Sequence, residues 1–361
     1  MQQSKKSFPG LQKCIYADTA ATGLMFTDQV KWRRQQDEDL LLRGSSNWPD
    51  IIGILKETRV ALKGFFKADE AEVALVPNFS IGLNLLLENQ RPEQKVLLVN
   101  HDYPSVIWPI ENRGFNVTYV EPDRDLEKNL SRIIASEQID ILALSLVQWL
   151  SGIRIRPGFL KELKDKHPSL LIIADGTQYC GAFVLNFDSS GIDVLGASGY
   201  KWLLGGYGNG FMIIRKTAIP SFSISSAGFN SADGDLARRD HYPFYKSLEP
   251  GHLDGLNFGS LKVALDFLSD IGMEKIDTYN RYLADYARQA FGSLGLLQKE
   301  VLERQQHGSI FRLVANRALF EQLNLHGVKC SWRSGGIRLS FHFYNTDKEI
   351  DRIVEIIKSR R

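Results

Sequence analysis

Cysteine is scarce in this chain. Cys14, Cys180 and Cys330 are the only three in 361 residues, at wide and unpatterned spacing. Such a count excludes a disulfide framework and a cysteine-rich zinc cluster, and it suits a reducing compartment. Long hydrophobic runs are also missing: no uninterrupted apolar stretch approaches the ~18 residues that span a bilayer. Nor does charge of one sign accumulate. Lys and Arg number 44 against 42 Asp and Glu, a net +2 with no basic block, so electrostatic binding of nucleic acid is not expected. Residues 1–10 carry charge without a following apolar segment, so a signal peptide is not expected. There is no internal repeat and no low-complexity tract. What remains is an ordinary globular composition, with length enough for a large domain and a smaller one. A soluble cytoplasmic protein is expected.

What is present is rhythm. Short apolar runs at 72–76, 95–100, 116–120, 139–147, 170–174, 193–197 and 210–214 read as strands. Several are continuously apolar, as strands covered on both faces should be. Amphipathic patterns at 50–67, 80–88, 124–137 and 158–166 read as the helices between them. This alternation predicts an α/β fold with a mostly parallel seven-stranded sheet, whose site gathers at the carboxyl ends of the strands. Residues 219–256 break the pattern. A long helix is predicted over 259–291, bridging to a compact α+β unit. That unit has strands at 309–314, 328–332 and 336–342 and a helix at 317–325. Its final helix opens on Thr346-Asp-Lys-Glu349, a capping-box pattern.

Candidate chemistry starts at Lys201, set in Asp193-Val-Leu-Gly-Ala-Ser-Gly-Tyr-Lys-Trp202 just ahead of Gly205-Gly-Tyr-Gly-Asn-Gly210. A lysine after an apolar strand, among small residues, loses hydration; its amine is then easier to deprotonate and can form a Schiff base. Asp175 ends another apolar strand in Ile172-Ile-Ala-Asp-Gly-Thr-Gln178, where a buried carboxylate needs a cation. Taken alone, each has a plainer reading: a surface lysine, a turn aspartate. Together, an aspartate for a pyridinium nitrogen and a lysine for an aldehyde are what pyridoxal phosphate requires. Pro77-Asn-Phe-Ser80 lies between a strand and a helix, so Ser80 and free backbone N–H groups can take a phosphate, unless Ser80 is a plain N-cap. Ser198 could add a hydroxyl. Arg338, at the start of a strand in Trp332-Arg-Ser-Gly-Gly-Ile-Arg-Leu-Ser340, suits a bidentate carboxylate contact, with Arg333 a weaker candidate.

In that order, these motifs resemble the class V aminotransferase and cysteine desulfurase superfamily of fold-type I pyridoxal-phosphate enzymes. Ile15-Tyr-Ala-Asp-Thr-Ala-Ala-Thr-Gly23, Asn78-Phe-Ser-Ile-Gly-Leu-Asn84 and His101-Asp-Tyr-Pro-Ser105 are similar to further family segments. The similarity covers nearly the whole chain. It implies the aspartate aminotransferase fold, with an N-terminal segment over 1–25, a large cofactor-binding domain over 26–258, and a bridging helix and small domain over 259–361. Carried over by residue, Lys201 would bind the cofactor aldehyde and shuttle a proton. Asp175 would face the ring nitrogen and Gln178 the ring's phenolic oxygen, while Tyr103 would stack on the ring. Phe79 (by its backbone), Ser80, Ser198 and Tyr200 would hold the phosphate, and Arg338 the substrate carboxylate. No metal is called for. The resemblance also implies a homodimer with its active site at the interface.

Three departures stand out. Trp149 occupies the place of a family asparagine, with Gln148 as a possible substitute. His252 lies where relatives carry a Gly-Thr pair that reaches the partner's phosphate. Finally, Arg333 to Arg338 leaves no room for the loop that bears a desulfurase cysteine, and Cys330 reads as a half-buried strand residue. The expectation is an aminotransferase-like enzyme acting on a small amino acid or amine. A lyase, epimerase, hydrolase or desulfurase-like reaction uses nearly the same residues. A non-catalytic cofactor-binding or regulatory protein is the alternative of another kind. His241, Tyr242, Phe244, His342 and Tyr344 are equally candidate pocket residues or core aromatics.

Overall fold

A computed structural model describes residues 5–239 and 241–359. Residues 1–4 and 360–361, the outer ends of the expected N- and C-terminal units, lie outside the described residues. The chain opens with β1 (Ile15–Tyr16) and two helices, Thr27–Arg43 and Trp48–Phe66. Then follow β2 (Ala71–Val76), β3 (Lys95–Val99), β4 (Asn116–Val120), β5 (Ile141–Ser145), β6 (Leu171–Asp175), β7 (Val194–Ser198) and β8 (Gly210–Arg215). All seven of these form one sheet in the order β2-β8-β7-β6-β5-β3-β4. Only β8 runs against its neighbours. The mostly parallel seven-stranded sheet is therefore present, with each strand within two residues of its predicted start.

The continuous apolar runs have a direct cause. Side chains alternate across a strand, and both faces of this sheet are covered. Ile172 and Ala174 of β6 enter one core, while Leu171 and Ile173 enter the other. In the same way Leu97 and Val99 of β3 face one side, and Val96 and Leu98 the opposite one. From β3 the chain passes to β4 on one side and then returns to β5 on the other, so the strand order reverses there. The crevice at such a reversal opens at the carboxyl ends of the strands. The segments after β3, β5, β6 and β7 bring Tyr103, Trp149, Asp175 and Lys201 to that end.

A third core gathers Phe311, Leu313, Ile337 and Leu339 against the helices Met273–Ser293 and Asp347–Lys358. Here β9 (Ile310–Leu313), β10 (Val328–Lys329), β11 (Ser331–Arg333) and β12 (Gly336–Ser340) make two small sheets. The final helix has its capping box: Thr346 accepts from the Glu349 N–H, and Glu349 accepts from the Thr346 N–H at 3.0 Å.

Two predictions need correction. The single helix over 259–291 is two helices, Gly255–Ile271 and Met273–Ser293, broken at Gly272, whose φ of 94° lies in the left-handed region that favours glycine. The single strand over 328–332 is also two. β10 pairs in parallel with β1, whereas β11 pairs antiparallel with β12, so the break at Cys330 lets one run serve two sheets. The helices Thr27–Arg43 and Pro104–Glu111 escaped the periodicity reading. The first buries only Gln29, and the second is short and carries Pro109 inside it.

β1 and the residues after it stitch the units together. Ser340 donates its N–H to the Ala17 carbonyl, Ala20 donates to the Ser340 hydroxyl at 2.8 Å, and Gly23 donates to the Tyr200 carbonyl at 2.8 Å. Arg304 adds a second tie. It makes a paired contact, 2.7 Å on each nitrogen, with Glu127 of the helix Leu126–Glu137. No helix among the described residues is long and apolar enough to cross a membrane.

Candidate active site

Lys201 is buried, 5% exposed, three residues after β7. The short connection from β7 folds back tightly, because Gly199 donates to the Asn209 carbonyl and Gly205 to the Gly199 carbonyl. Asn209 holds this loop from inside, donating to the carbonyls of Gly205, Gly206 and Asn257. The lysine nitrogen stands 5.2 Å from the Tyr103 ring centre and 5.4 Å from that of Tyr200. Burial lowers its pKa to about 8; Asp175 and Asp18 pull upward, and the cations Arg338 and Arg333 push it further down. A fraction of the amine is therefore neutral near pH 7, as an attack on an aldehyde requires.

Asp175 closes β6 and is also buried. Burial raises its pKa to about 6, opposed by Thr177, which bonds it through both hydroxyl and N–H (2.8 Å), and by the charge of Lys201. Asp102 beyond it raises the value again. A carboxylate held in this state gains most from a partner that brings a positive N–H, so the residue fits a protonated ring nitrogen. Gln178 accepts from the Trp202 indole at 2.6 Å and donates to the Ala20 carbonyl at 3.0 Å, which leaves one amide hydrogen free.

Of the residues expected to hold a phosphate, Phe79 and Ser198 are joined by a hydrogen bond, and the helix cap differs from expectation. Asn78, not Ser80, caps the helix Phe79–Leu86 by accepting from the Ile81 N–H at 3.0 Å. Ser80 is thereby left free, its N–H without an intrahelical acceptor. The Ser198 hydroxyl accepts from the Phe79 N–H at 3.0 Å, and the Ser198 N–H donates to Thr177, so this hydroxyl keeps a proton to give. Tyr200 stacks on Tyr207 with centres 4.7 Å apart. The donor set suits a phosphate.

At the other end of the site Arg338 is 3% exposed. It donates to the Trp149 carbonyl at 3.2 Å, lies 3.9 Å from Asp18, and has a buried Nε without a partner. Arg333 is exposed at the end of β11 and acts on the cluster through charge. Trp149 does not reproduce an amide. Its indole donates to the His101 carbonyl and its ring meets Tyr103 edge-on at 5.5 Å. Gln148 does not substitute either: its oxygen is taken by the N–H groups of Leu150 and Ser151, and its nitrogen by the His101 carbonyl. Beyond Trp149 opens a cavity of about 710 Å³, lined in part by His101, Ser151, Gln298, Arg312 and Ser334.

His252 is not brought to this cluster within one subunit. It is exposed, 5.0 Å from Trp48 and stacked on Phe229, in a groove of about 570 Å³ that none of the Lys201 group lines. Most of the candidate pocket aromatics also lie elsewhere. His342 is fully buried between Trp202 and Asn280, and burial lowers its pKa to about 3. Tyr344 is bonded to Thr19 in the core, and Phe244 packs on Phe222. Conversely, sequence reasoning gave no task to Asp18, Asp102, Thr177 or Asn209. All four lie inside motifs already noted, so position in those motifs was the available signal.

The family described as aminotransferase class-V matches residues 15–353. A Bacillus subtilis protein named uncharacterized aminotransferase YcbU is 22% identical, covering 99% of this chain and 98% of that one. The isopenicillin N epimerase of Streptomyces clavuligerus is 23% identical over 88% of this chain and 86% of its own. Among solved structures, a cysteine desulfurase from Thermococcus onnurineus superposes with a TM-score of 0.86 at 18% identity, covering 99% of this chain and 97% of that one.

Proposed function

The chain belongs to the class V aminotransferase family, and from that premise we propose that it is a pyridoxal-phosphate-dependent enzyme moving the amino group of a small amino acid or amine. The observation that carries the reading is the pair at the ends of β6 and β7: a buried carboxylate facing a buried lysine whose pKa burial has lowered to about 8. Pyridoxal phosphate supplies an aldehyde for an amine and a ring that accepts electrons from the substrate Cα.

The chain's own residues then have separable tasks. Lys201 would hold the aldehyde end of the cofactor, and its Nζ would hold or deliver a proton at the substrate Cα. Asp175 keeps the ring nitrogen protonated. Tyr103 limits the ring's tilt through offset contact. The Ser80 N–H and hydroxyl, the Ser198 hydroxyl and Tyr200 would hold the phosphate, while the Phe79 N–H, expected to join them, is given to the Ser198 hydroxyl and aims it. Arg338 takes the substrate carboxylate, which orients the bond at Cα. The substrate side chain extends past Trp149 toward the 710 Å³ cavity.

Sulfur transfer is the weaker reading. Burial raises the Cys330 thiol to about 12 and the Cys180 thiol well above its ordinary value. β11 and β12 are joined by only Ser334 and Gly335, too short for a mobile cysteine loop.

A homodimer completes the reading. Ile52, Val60 and Phe229 are large exposed apolar residues that line the His252 groove. A C2 partner would cover them and bring its His252 toward the phosphate site. Three unpaired thiols agree with a reducing, cytoplasmic setting.

The test is spectroscopic. Protein reconstituted with pyridoxal phosphate should show a visible absorption band that Lys201→Ala lacks; wild-type protein without a band sinks the proposal. Amino acids that convert the bound cofactor to its amine form identify transamination, whereas release of ammonia or sulfide without conversion identifies a lyase. Sedimentation that finds a monomer with full cofactor affinity removes the dimer.

A further inference from the structure

Asp18 lies in the segment after β1, with its backbone bridged to Ser340 of β12. Its two carboxylate oxygens are treated differently. Oδ2 accepts from the Ser331 hydroxyl at 2.6 Å. Oδ1 is buried, has no hydrogen-bond partner, and stands 3.9 Å from Arg338 Nη2. Arg338, in turn, has one hydrogen bond from Nη1 to Trp149 and a buried, unpartnered Nε. Two opposite charges thus face each other inside the protein without closing a hydrogen bond.

The strand register explains the gap. Ser331 is the direct cross-strand partner of Arg338 in the β11–β12 pair. Arg333 lies two residues further along β11, so Ser331, Arg333 and Arg338 share one face. Ser331 holds Asp18 by one oxygen, and the Ser340 bridge holds its backbone, so the carboxylate cannot swing onto the guanidinium fork. A buried arginine with no counter-ion is costly, but one in a bidentate pair with an internal carboxylate cannot accept a ligand. The observed distance lies between those extremes.

We propose that Asp18 is the resident counter-ion of Arg338, offsetting its buried charge and helping to aim it while the site is empty, and competing with the incoming substrate carboxylate. This rests on the reading of Arg338 as the carboxylate-binding residue. On binding, the ligand takes the free Nε and an Nη of Arg338, and Asp18 is left beside a second anion. The cations facing Asp18 are Arg338 and Arg333 from the small sheet and Lys201 from the loop after β7. Arg333, exposed on the shared face, then becomes the nearest alternative partner. Asp18 is a positioning residue in this scheme; it need not touch the reacting atoms.

The experiment is calorimetric titration of the holoenzyme with propionate, a carboxylate that has no amine and cannot react with the cofactor. Asp18→Asn removes the competitor and should bind propionate about fivefold more tightly than wild type. Ser331→Ala frees Asp18 to approach Arg338 and should bind it more weakly, and Arg338→Ala should not bind it. Tightening is the informative sign, because loss of a merely structural aspartate weakens binding. Weaker or unchanged propionate binding in Asp18→Asn overturns the proposal. If that variant does not fold, Ser331→Ala decides alone, and unchanged affinity there overturns it. A missing visible band in wild type counts against the cofactor reading instead, and calorimetry still reports propionate binding.

Discussion

The Arg338 guanidinium donates to the backbone carbonyl of Trp149 at 3.2 Å. A residue of the small sheet is thereby aimed by the segment that follows β5 in the large one. The same Trp149 meets Tyr103 edge-on, and Tyr103 lies 5.2 Å from the Lys201 nitrogen. One residue therefore links the Arg338 end of the site to its lysine end, by its backbone carbonyl at one and its ring at the other, where the sequence alone showed only a missing asparagine.

Trp149→Ala keeps the carbonyl that Arg338 uses but removes the indole, whose bond to the His101 carbonyl and contact with Tyr103 fix that segment, so both ends should loosen. Half-saturation by an amino acid, read from the cofactor spectrum, should rise about tenfold, equivalent to about 1.4 kcal/mol. A variant that keeps wild-type half-saturation would show that the indole is not what fixes the carbonyl aiming Arg338.

Cofactor capture should depend on Lys201 ionisation. Its pKa is lowered from 10.5 to about 8, so the reactive neutral amine grows as pH rises and levels off above 8. The rate of band formation after adding pyridoxal phosphate to cofactor-free protein should climb about tenfold per pH unit below that point. A flat profile between pH 6 and 8 would contradict the assignment.

Asp175 should cost stability while Lys201 is the main cation offsetting its charge, because burial outweighs that offset. Its folded pKa of about 6 lies above the ordinary 3.8, so the carboxyl is neutral in both states at low pH. Above pH 6 it is charged in both states, and the folded form bears the full penalty, about 3 kcal/mol. Cofactor-free Asp175→Asn should therefore melt higher than wild type, by a margin that widens from pH 5 to pH 8. With cofactor bound the order should reverse. A margin that shrinks as pH rises would contradict this reading.

Gly23 leaves no room for a methyl group. A Cβ there would lie 2.0 Å from the Lys201 carbonyl oxygen, a backbone atom. Gly23→Ala should cost about 3 kcal/mol and displace the lysine loop. The check is a lowered melting temperature together with slower band formation; an unchanged melting curve would refute it.

Arg304→Ala should cost about 3–5 kcal/mol, because it leaves Glu127 and the clustered carbonyls unpaired in a buried place. Burial pushes the Glu127 carboxyl up, but the hydrogen bonds and charge of Arg304 bring it net below the ordinary 4.5. The stabilisation is thus complete above pH 4.5 and fades as pH falls through the lowered value. Denaturant unfolding at pH 7 and pH 4 should show a smaller deficit for the variant at pH 4.

The inner strands of the large sheet were legible because they are covered on both faces, and burial imposes apolar or small residues on β6 up to Asp175 and on β7 up to Ser198. The placement of Asp175, Ser198 and Lys201 at one end of the sheet was legible because each ends a strand or follows it closely, which leaves little freedom in where it emerges. Gly272 was less so, since a glycine within a helical pattern signals a break only weakly. The division of 328–332 between two sheets was not legible at all, because pairing partners come from distant sequence.

The sequence by itself determined the alternation of strands and helices, the cluster that suits pyridoxal phosphate, and the absence of a desulfurase loop. Those are local properties, written in hydrophobic period and residue order. Tertiary structure decided which charges meet. Asp18 and Arg338 are 320 positions apart, and only the bridge of Asp18 to Ser340 places their side chains 3.9 Å from each other. It also set the state of each charge, since desolvation depends on everything packed around a group and not on its neighbours in the chain.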